Sequence, residues 1–413
     1  MITARTFRIL ALGTALALTG GAFPAHAQQG KNVVRAEVGK PVQEAQSLNK
    51  RGRFKEALAA AQPAVDAAGK TPFETMALEL TLAQSYLGLK EPAKAAAAIE
   101  RAVATGEMTK EDRAQRLDTM ARLFYQAGDY KKSAATGQQA MAEGATNMEL
   151  RGMVAQALFL EKRFKEAAEM VLPVIQDSEK RGQKPQEDFL QMRANAFHQT
   201  GDRRMLIPAM EQLIRHYPKQ DYWNGLLHEL TQMQGFSPEL AVDAGLLRMR
   251  TGFLLKRGTF MELAQEALYI KLPNQALAVL DKGFATGALG KEGPGVDRER
   301  RLLEFARKRV EEIRALLPEL EAEARAAESG DLLVALGRTY ADYKDFTRGV
   351  ALMDDGFRKG KLANLDHARL RLGVVLLEAG QKDRAEKILR TVKSEDGSAQ
   401  LARLWLLQRA PSS

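Results

Sequence analysis

Apolar residues return at intervals of three and four along nearly the whole chain, with polar and charged residues between them. That spacing marks one face of a helix, and the class it predicts is all-α. Residues 372–389, LGVVLLEAGQKDRAEKIL, show the local unit: two helical halves separated at Gly380, with Gly373 inside the first half. Glycine inside a helix costs roughly 1 kcal/mol against alanine, so its presence at 373 needs a compensating contact.

The same unit recurs when the chain is aligned on two small positions twelve apart, as Gly373 and Ala385 are. The pairs Ala45 and Ala57, Ala83 and Ala95, Ala121 and Ser133, Ala155 and Ala167, Ala264 and Ala276, and Gly337 and Gly349 all fit. Ala194 starts another unit, with Leu206 at its second site, and a degenerate unit pairs Glu229 with Ala241. The first anchors at 45, 83, 121, 155, 194, 229 and 264 lie 34 to 39 apart, and those at 337 and 373 lie 36 apart. A bulky residue follows three positions after an anchor, as at Leu48, Tyr86, Phe124 and Tyr340. A glycine follows seven after, as at Gly52, Gly128, Gly201 and Gly380. A helix–turn–helix unit of this period is the signature of tetratricopeptide repeats. Small residues let two antiparallel helices meet, and the glycine supplies the left-handed end of the first. One hairpin cannot cover its own apolar face, so hairpins must stack. The expected fold is a right-handed α-solenoid of about nine to ten tetratricopeptide-like repeats, continuous and with its inner lining free to hold another chain.

Two stretches interrupt the pattern. Residues 287–300, GALGKEGPGVDRER, read as a long loop or hinge, and a long helix follows with a break expected at Leu317-Pro318. Residues 178–188 read as an elongated loop between repeats. The expected organisation is a signal peptide over 1–27, an N-terminal array over 28–286, an irregular loop and long helix over 287–330, and C-terminal repeats over 331–410.

The opening residues change the picture of where the protein works. Arg5 and Arg8 precede the apolar run Ile9 to Leu18, and Ala25-His26-Ala27 has the form of a cleavage site. This reads as a secretory signal cleaved after Ala27, and its alanine-rich character points to the periplasm. The run is too short for a membrane span. Cysteine is absent, which excludes disulfides, thiol chemistry and a lipid-modified cysteine. Loss of Arg5 and Arg8 lowers the formal charge from +9 to +7. Export argues against a nucleic-acid partner, so the positive balance suits helix solvation or an acidic partner, with membrane association only through partners.

No reactive constellation is visible. His198, His216, His228 and His367 have no metal-ligand spacing, and neither a phosphate loop nor a G-x-S-x-G elbow occurs. Adjacent acidic pairs such as Asp354-Asp355 read as exposed helix charge. No catalytic residue, cofactor or metal is expected.

Resemblance to tetratricopeptide proteins implies that positions −6, −3, +1, +4 and +5 from the first anchor face a binding wall. The +1 sites include Gln84, Arg122, Gln156, Asn195 and Gln265, with Gln46 before them: mostly amides, which both donate and accept hydrogen bonds. Tyr125, Phe159 and His198 stand at +4, Tyr269 at +5 and Trp223 at −6. Aromatic residues are common anchors in binding grooves, although Phe159 and Trp223 also fit a packing role within the array. The −3 sites carry no lysine, which disfavours the clamp that chaperone-binding repeats place on a terminal carboxylate.

A further resemblance runs through KPVQEAQSLNKRGRFKEALAA, LIRHYPKQDYWNGLL, ELAQEALYIKLPNQALAVLDKGFATGALGK and HARLRLGVVLLEAGQKDRAEKIL, followed by LARLWL. In that order these segments resemble exported tetratricopeptide proteins assigned to TonB energy-transduction systems of Gram-negative bacteria. Tyr217 to Trp223 is the most specific part; Arg203-Arg204-Met205 and residues 288–330 depart most. The resemblance implies a non-catalytic periplasmic accessory that binds an extended segment of a TonB-system protein. Scaffolding of outer-membrane assembly or polysaccharide export machinery, and activation of cell-wall enzymes, are the alternatives.

Overall fold

The computed structural model describes residues 34–252, 256–293 and 295–408. The expected signal peptide and its cleavage after Ala27 lie outside the described residues. Those residues form twenty α-helices and one 3-10 turn, and no strand occurs among them. They divide into two compact units, one ending at Asp202 and the other beginning at Arg203.

The first unit is α1 (Ala36–Lys50), α2 (Phe54–Asp66), α3 (Pro72–Gly88), α4 (Pro92–Ala104), α5 (Lys110–Gln126), α6 (Tyr130–Ala142), α7 (Met148–Leu160), α8 (Phe164–Lys180) and α9 (Glu187–Thr200). Consecutive helices pair as hairpins, α1 with α2 through α7 with α8. Each pair crosses at the small residues: Ala45, Ala57, Ala95, Ala121, Ser133, Ala155 and Ala167 are wholly buried. Around them lie Leu78, Ile99, Leu117, Leu123, Phe124, Leu150 and Leu158, in one cluster that runs through successive hairpins. The first helices also touch one another, α1 on α3, α5 on α7 and α7 on α9. That side of the stack is the narrower, and it forms the inner wall.

The turn between paired helices is the same in both units. The residue seven after the anchor is left-handed: Gly52, Gly128, Gly201 and Gly380 at φ 69° to 80°, and Lys90, Lys162, Lys271 and Lys344 at φ 59° to 66°. The next amide then bonds back to the carbonyl five positions before it, as Asp129 N to Phe124 O at 2.9 Å and Arg163 N to Leu158 O at 2.9 Å. This closes the orphan carbonyls of the first helix. Helix starts are fixed by side chains: Thr71 and Glu74 form a reciprocal capping box, and Asp129 and Asp345 cap α6 and the helix that follows Asp345.

The second unit comprises α10 (Arg203–His216), α11 (Gln220–Thr231), the 3-10 turn Pro238–Leu240, α12 (Ala241–Arg250), α13 (Arg257–Tyr269), α14 (Pro273–Ala285), α15 (Val296–Ala326), α16 (Asp331–Asp342), α17 (Phe346–Lys359), α18 (Leu365–Glu378), α19 (Lys382–Leu389) and α20 (Ser398–Gln408). In α16–α17 the helices cross on glycine, and a Cβ at Gly337 would lie 2.5 Å from the backbone oxygen of Gly349. Gly373 is crowded differently: a Cβ there would meet the side chain of Leu389 at 2.4 Å. The compensating contact at 373 is thus a leucine of α19.

α15 departs from the expected break at Leu317-Pro318 and runs unbroken for 31 residues. Pro318 removes one backbone donor, but it is exposed, so water reaches the freed carbonyl. Ile313, Leu317 and Ala324 stay buried on the opposite face. The helix is an insertion, because α14 and α16 remain neighbours. Asp342 at the end of α16 accepts from the amides of Asn274 and Gln275 at the start of α14, both at 2.9 Å.

The expectation of a free inner lining does not hold in this unit, which closes on itself. Asp243 of α12, 4% exposed, binds Arg338 of α16 at 2.6 Å and Arg371 of α18 at 3.3 Å. His367 of α18 sits between Glu239 at 3.1 Å and Asp396 at 2.9 Å. Arg403 of α20 reaches Glu211 of α10 at 2.9 Å, and Ser237 N bonds Asp396 O at 2.8 Å. These pairs join residues 95 to 192 positions apart where they are given by side chains of α10, α12, α16, α18 and α20.

Two glycine substitutions separate the turn from the crossing. Gly128→Ala meets no atom within 4 Å and costs about 1 kcal/mol through its left-handed backbone alone. Gly337→Ala forces two backbones apart and costs about 2–3 kcal/mol. Urea unfolding of each variant reads both values; equal costs would contradict this division of roles.

Candidate functional site

The inner wall of the first unit is the candidate site. Helices α3, α5, α7 and α9 place Gln84, Arg122, Tyr125, Gln156, Phe159, Asn195 and His198 at matching positions in successive hairpins. Gln84, Arg122, Tyr125, Gln156, Phe159 and Asn195 are half-buried, and His198 is exposed. Several are bonded from one repeat to the next. Tyr125 donates its hydroxyl to Gln156 Oε1 at 3.1 Å, and Gln46 donates to Thr81 Oγ1 at 3.2 Å. Arg122 is held by Asp118 at 2.7 Å and faces Glu149 at 3.8 Å. Burial raises the Tyr125 phenol above its ordinary range. Tyr125 also meets Tyr130 edge-on at 5.3 Å, and Phe159 meets Phe164 at 5.1 Å.

The other three expected wall residues belong to the second unit. Trp223 is 4% exposed, and Leu226 and Leu230 of the same helix are wholly buried, so Trp223 has no face to offer a partner. The degenerate anchor at Glu229 is responsible: Glu229 pairs with Arg203 at 3.1 Å, so the first of that hairpin's two crossing sites has no small residue. Gln265 is exposed, and Tyr269 is 88% exposed at the end of α13.

Sequence reasoning missed a buried polar step under the wall. Asn49, 4% exposed, donates to Thr81 O at 3.1 Å and accepts from Ser85 Oγ at 2.8 Å. These residues satisfy one another between α1 and α3, and they set the height of one hairpin on the next. It also missed Glu74, wholly buried beneath the start of α1. Arg35 donates to it from Nε at 3.0 Å and Nη2 at 2.9 Å, and from its own amide at 2.8 Å.

The Arg35 hydrogen bonds hold the Glu74 carboxyl at about 2 in spite of burial, with help from the Thr71 amide. Burial works to raise the Asp396 carboxyl, but hydrogen bonds from Ser398 and the charge of His367 outweigh it and leave it at about 2. No reactive pair lies among the wall residues, and the chemistry available there is hydrogen bonding and aromatic contact.

The chain matches no family model and no curated protein. It is similar to solved structures of repeat proteins. One is the crystal structure of YrrB, a TPR protein with an unusual peptide-binding site: 14% identity, 44% of this chain and 87% of that one, TM-score 0.33. Another is the TPR2AB domain of yeast Sti1 in complex with pHSP90: 12% identity, 72% of this chain and 99% of that one, TM-score 0.24. A third is Naa15/Naa10 bound to HypK-THB: 17% identity, 90% of this chain and 61% of that one, TM-score 0.30. The assignment rests on the chain's own hairpins, their period, crossings and turns: it is an all-α, α-solenoid protein of tetratricopeptide-like repeats.

The two depressed carboxyls contribute to the loss of stability in acid. A folded pKa of about 2 against an ordinary 4.5 for Glu74 or 3.8 for Asp396 gives stability that is present above the ordinary value and lost as pH falls toward 2. Helicity followed between pH 5 and pH 2 should show this loss, and Glu74→Gln should flatten it in the first unit. An unchanged acid slope in that variant would contradict the assignment.

Proposed function

We propose that the protein is a non-catalytic scaffold whose first unit holds an extended segment of a partner protein along the inner wall of α3, α5, α7 and α9. The supporting observation is the row of half-buried hydrogen-bonding side chains, Gln84, Arg122, Gln156 and Asn195, repeated at the spacing of the hairpins. Amides at such intervals suit the alternating donors and acceptors of an extended backbone, and Tyr125 and Phe159 add apolar contact. The sequence resemblance supports work in the periplasm, with the inner-membrane motor or linker proteins of a TonB system as clients. Outer-membrane assembly, polysaccharide export and cell-wall enzymes remain the rival clients.

The test uses the mature chain as bait in periplasmic extract, with captured motor, linker and receptor components identified by mass spectrometry. Tyr125→Ala with Asn195→Ala should weaken capture about tenfold or more while helicity stays unchanged. Full capture by the double variant would move the site off this wall. Absence of every TonB-system component would remove that client.

A further inference from the structure

The second unit contains a cavity of about 280 Å³ that the proposed scaffold role does not use. Its apolar part is Leu246, Leu272, Val279, Val374 and Val375. Its polar part is unusual in balance: Arg250, Lys282, Arg338 and Arg371 against Asp243, Asp342 and Glu378. The carboxylates are already engaged. Asp243 has both oxygens on Arg338 and Arg371, and Asp342 has both on the amides of α14. Burial also pushes the Asp342 carboxyl up to about 6, so it stays mostly ionised at neutral pH.

Two of the cations, Arg338 and Arg250, are less fully engaged, whereas Lys282 donates to Met249 O at 2.9 Å and Arg371 donates to Asp243 and to Glu239 O. A guanidinium has five N–H donors. Arg338 uses one on Asp243 at 2.6 Å, and Arg250 approaches Glu378 at 3.5 Å while lying 5.5 Å from the centre of the Trp405 ring. Trp405, 3% exposed, also lines the cavity, and its indole Nε1 is buried with no hydrogen-bond partner among the described residues. Donors exceed acceptors in a partly apolar chamber, and anions are the ligands that restore the balance.

We propose that this cavity is a binding site for a small organic carboxylate with a compact, branched apolar body. The carboxylate meets Arg338 and Arg250, and the body lies against Leu246, Val374 and Val375. The ring of charged pairs that closes the unit, Asp243 with Arg338 and Arg371, forms one side of the chamber, so occupancy also ties α12, α16 and α18 together.

The probe is 4-methylpentanoate, with 4-methylpentanamide as its uncharged counterpart. Trp223 and Trp405 are the two tryptophans of the chain, so Trp223→Phe leaves Trp405 as the reporter. The expected result is a saturable change of Trp405 emission with the carboxylate, and binding at least about tenfold weaker for the amide, as loss of a charge-assisted hydrogen bond requires. Ala278→Phe, which sets a phenyl at the exposed rim of the cavity on α14, should weaken the response. Because Trp223 is a core residue, calorimetric titration of the unsubstituted chain supplies the same comparison without that variant. Equal binding of acid and amide, no saturable binding of either, or an unaltered response in Ala278→Phe would overturn the proposal. None of these results bears on capture of a partner by the first unit.

Discussion

A pair of antiparallel helices has more apolar surface than it can cover alone, and every feature of this protein follows from how the remainder is covered. In the first unit the next hairpin in sequence does it. Small residues at the crossings bring each pair close, the left-handed turn reverses the chain in a fixed number of residues, and the cluster from Val38 to Ala167 passes through successive hairpins. The wall of first helices stays half-buried and polar because nothing further along this unit folds back onto it.

The second unit solves the same problem by returning to its own beginning. α20 packs on α10 and α12, and the approach is fixed by charges with few other ways to be satisfied. Asp243 is buried, and taking such a group out of water is tolerated only because two guanidiniums from α16 and α18 converge on it. His367 between two carboxylates and Arg403 on Glu211 repeat the device at other points of the circuit. The two units therefore differ in form. The first carries a half-buried row of hydrogen-bonding side chains; the second carries a cavity lined in part by the charged pairs of its own closure.

The repeating parts were legible in the sequence, because a helix crossing demands a small side chain and a helix end demands φ above zero. Ala83, Ala121, Ala264, Gly337 and Gly128 announce both. Lysine at 90, 162, 271 and 344 did not, since nothing in its chemistry favours the left-handed region, and only the surrounding hairpin imposes it. Closure was invisible for a related reason. Asp243, Arg338, Arg371 and Arg403 look like surface charge in one dimension, and their pairing appears only when residues 95 to 192 apart meet. Trp223 was misplaced because the first anchor of its hairpin is Glu229 in place of the small residue that sets the register elsewhere. Pro318 was misread because an exposed proline on the outer face of a long helix leaves its buried face intact.

Native-state hydrogen exchange in an Asp243→Ala variant addresses closure directly. If Asp243 ties the second unit together, the amides of α12, α16, α18 and α20 lose protection in concert, while those of α3 to α8 keep theirs. Loss confined to α12, with α16, α18 and α20 as protected as before, would mean that the second unit is an open row of hairpins and that its closure is not what holds it.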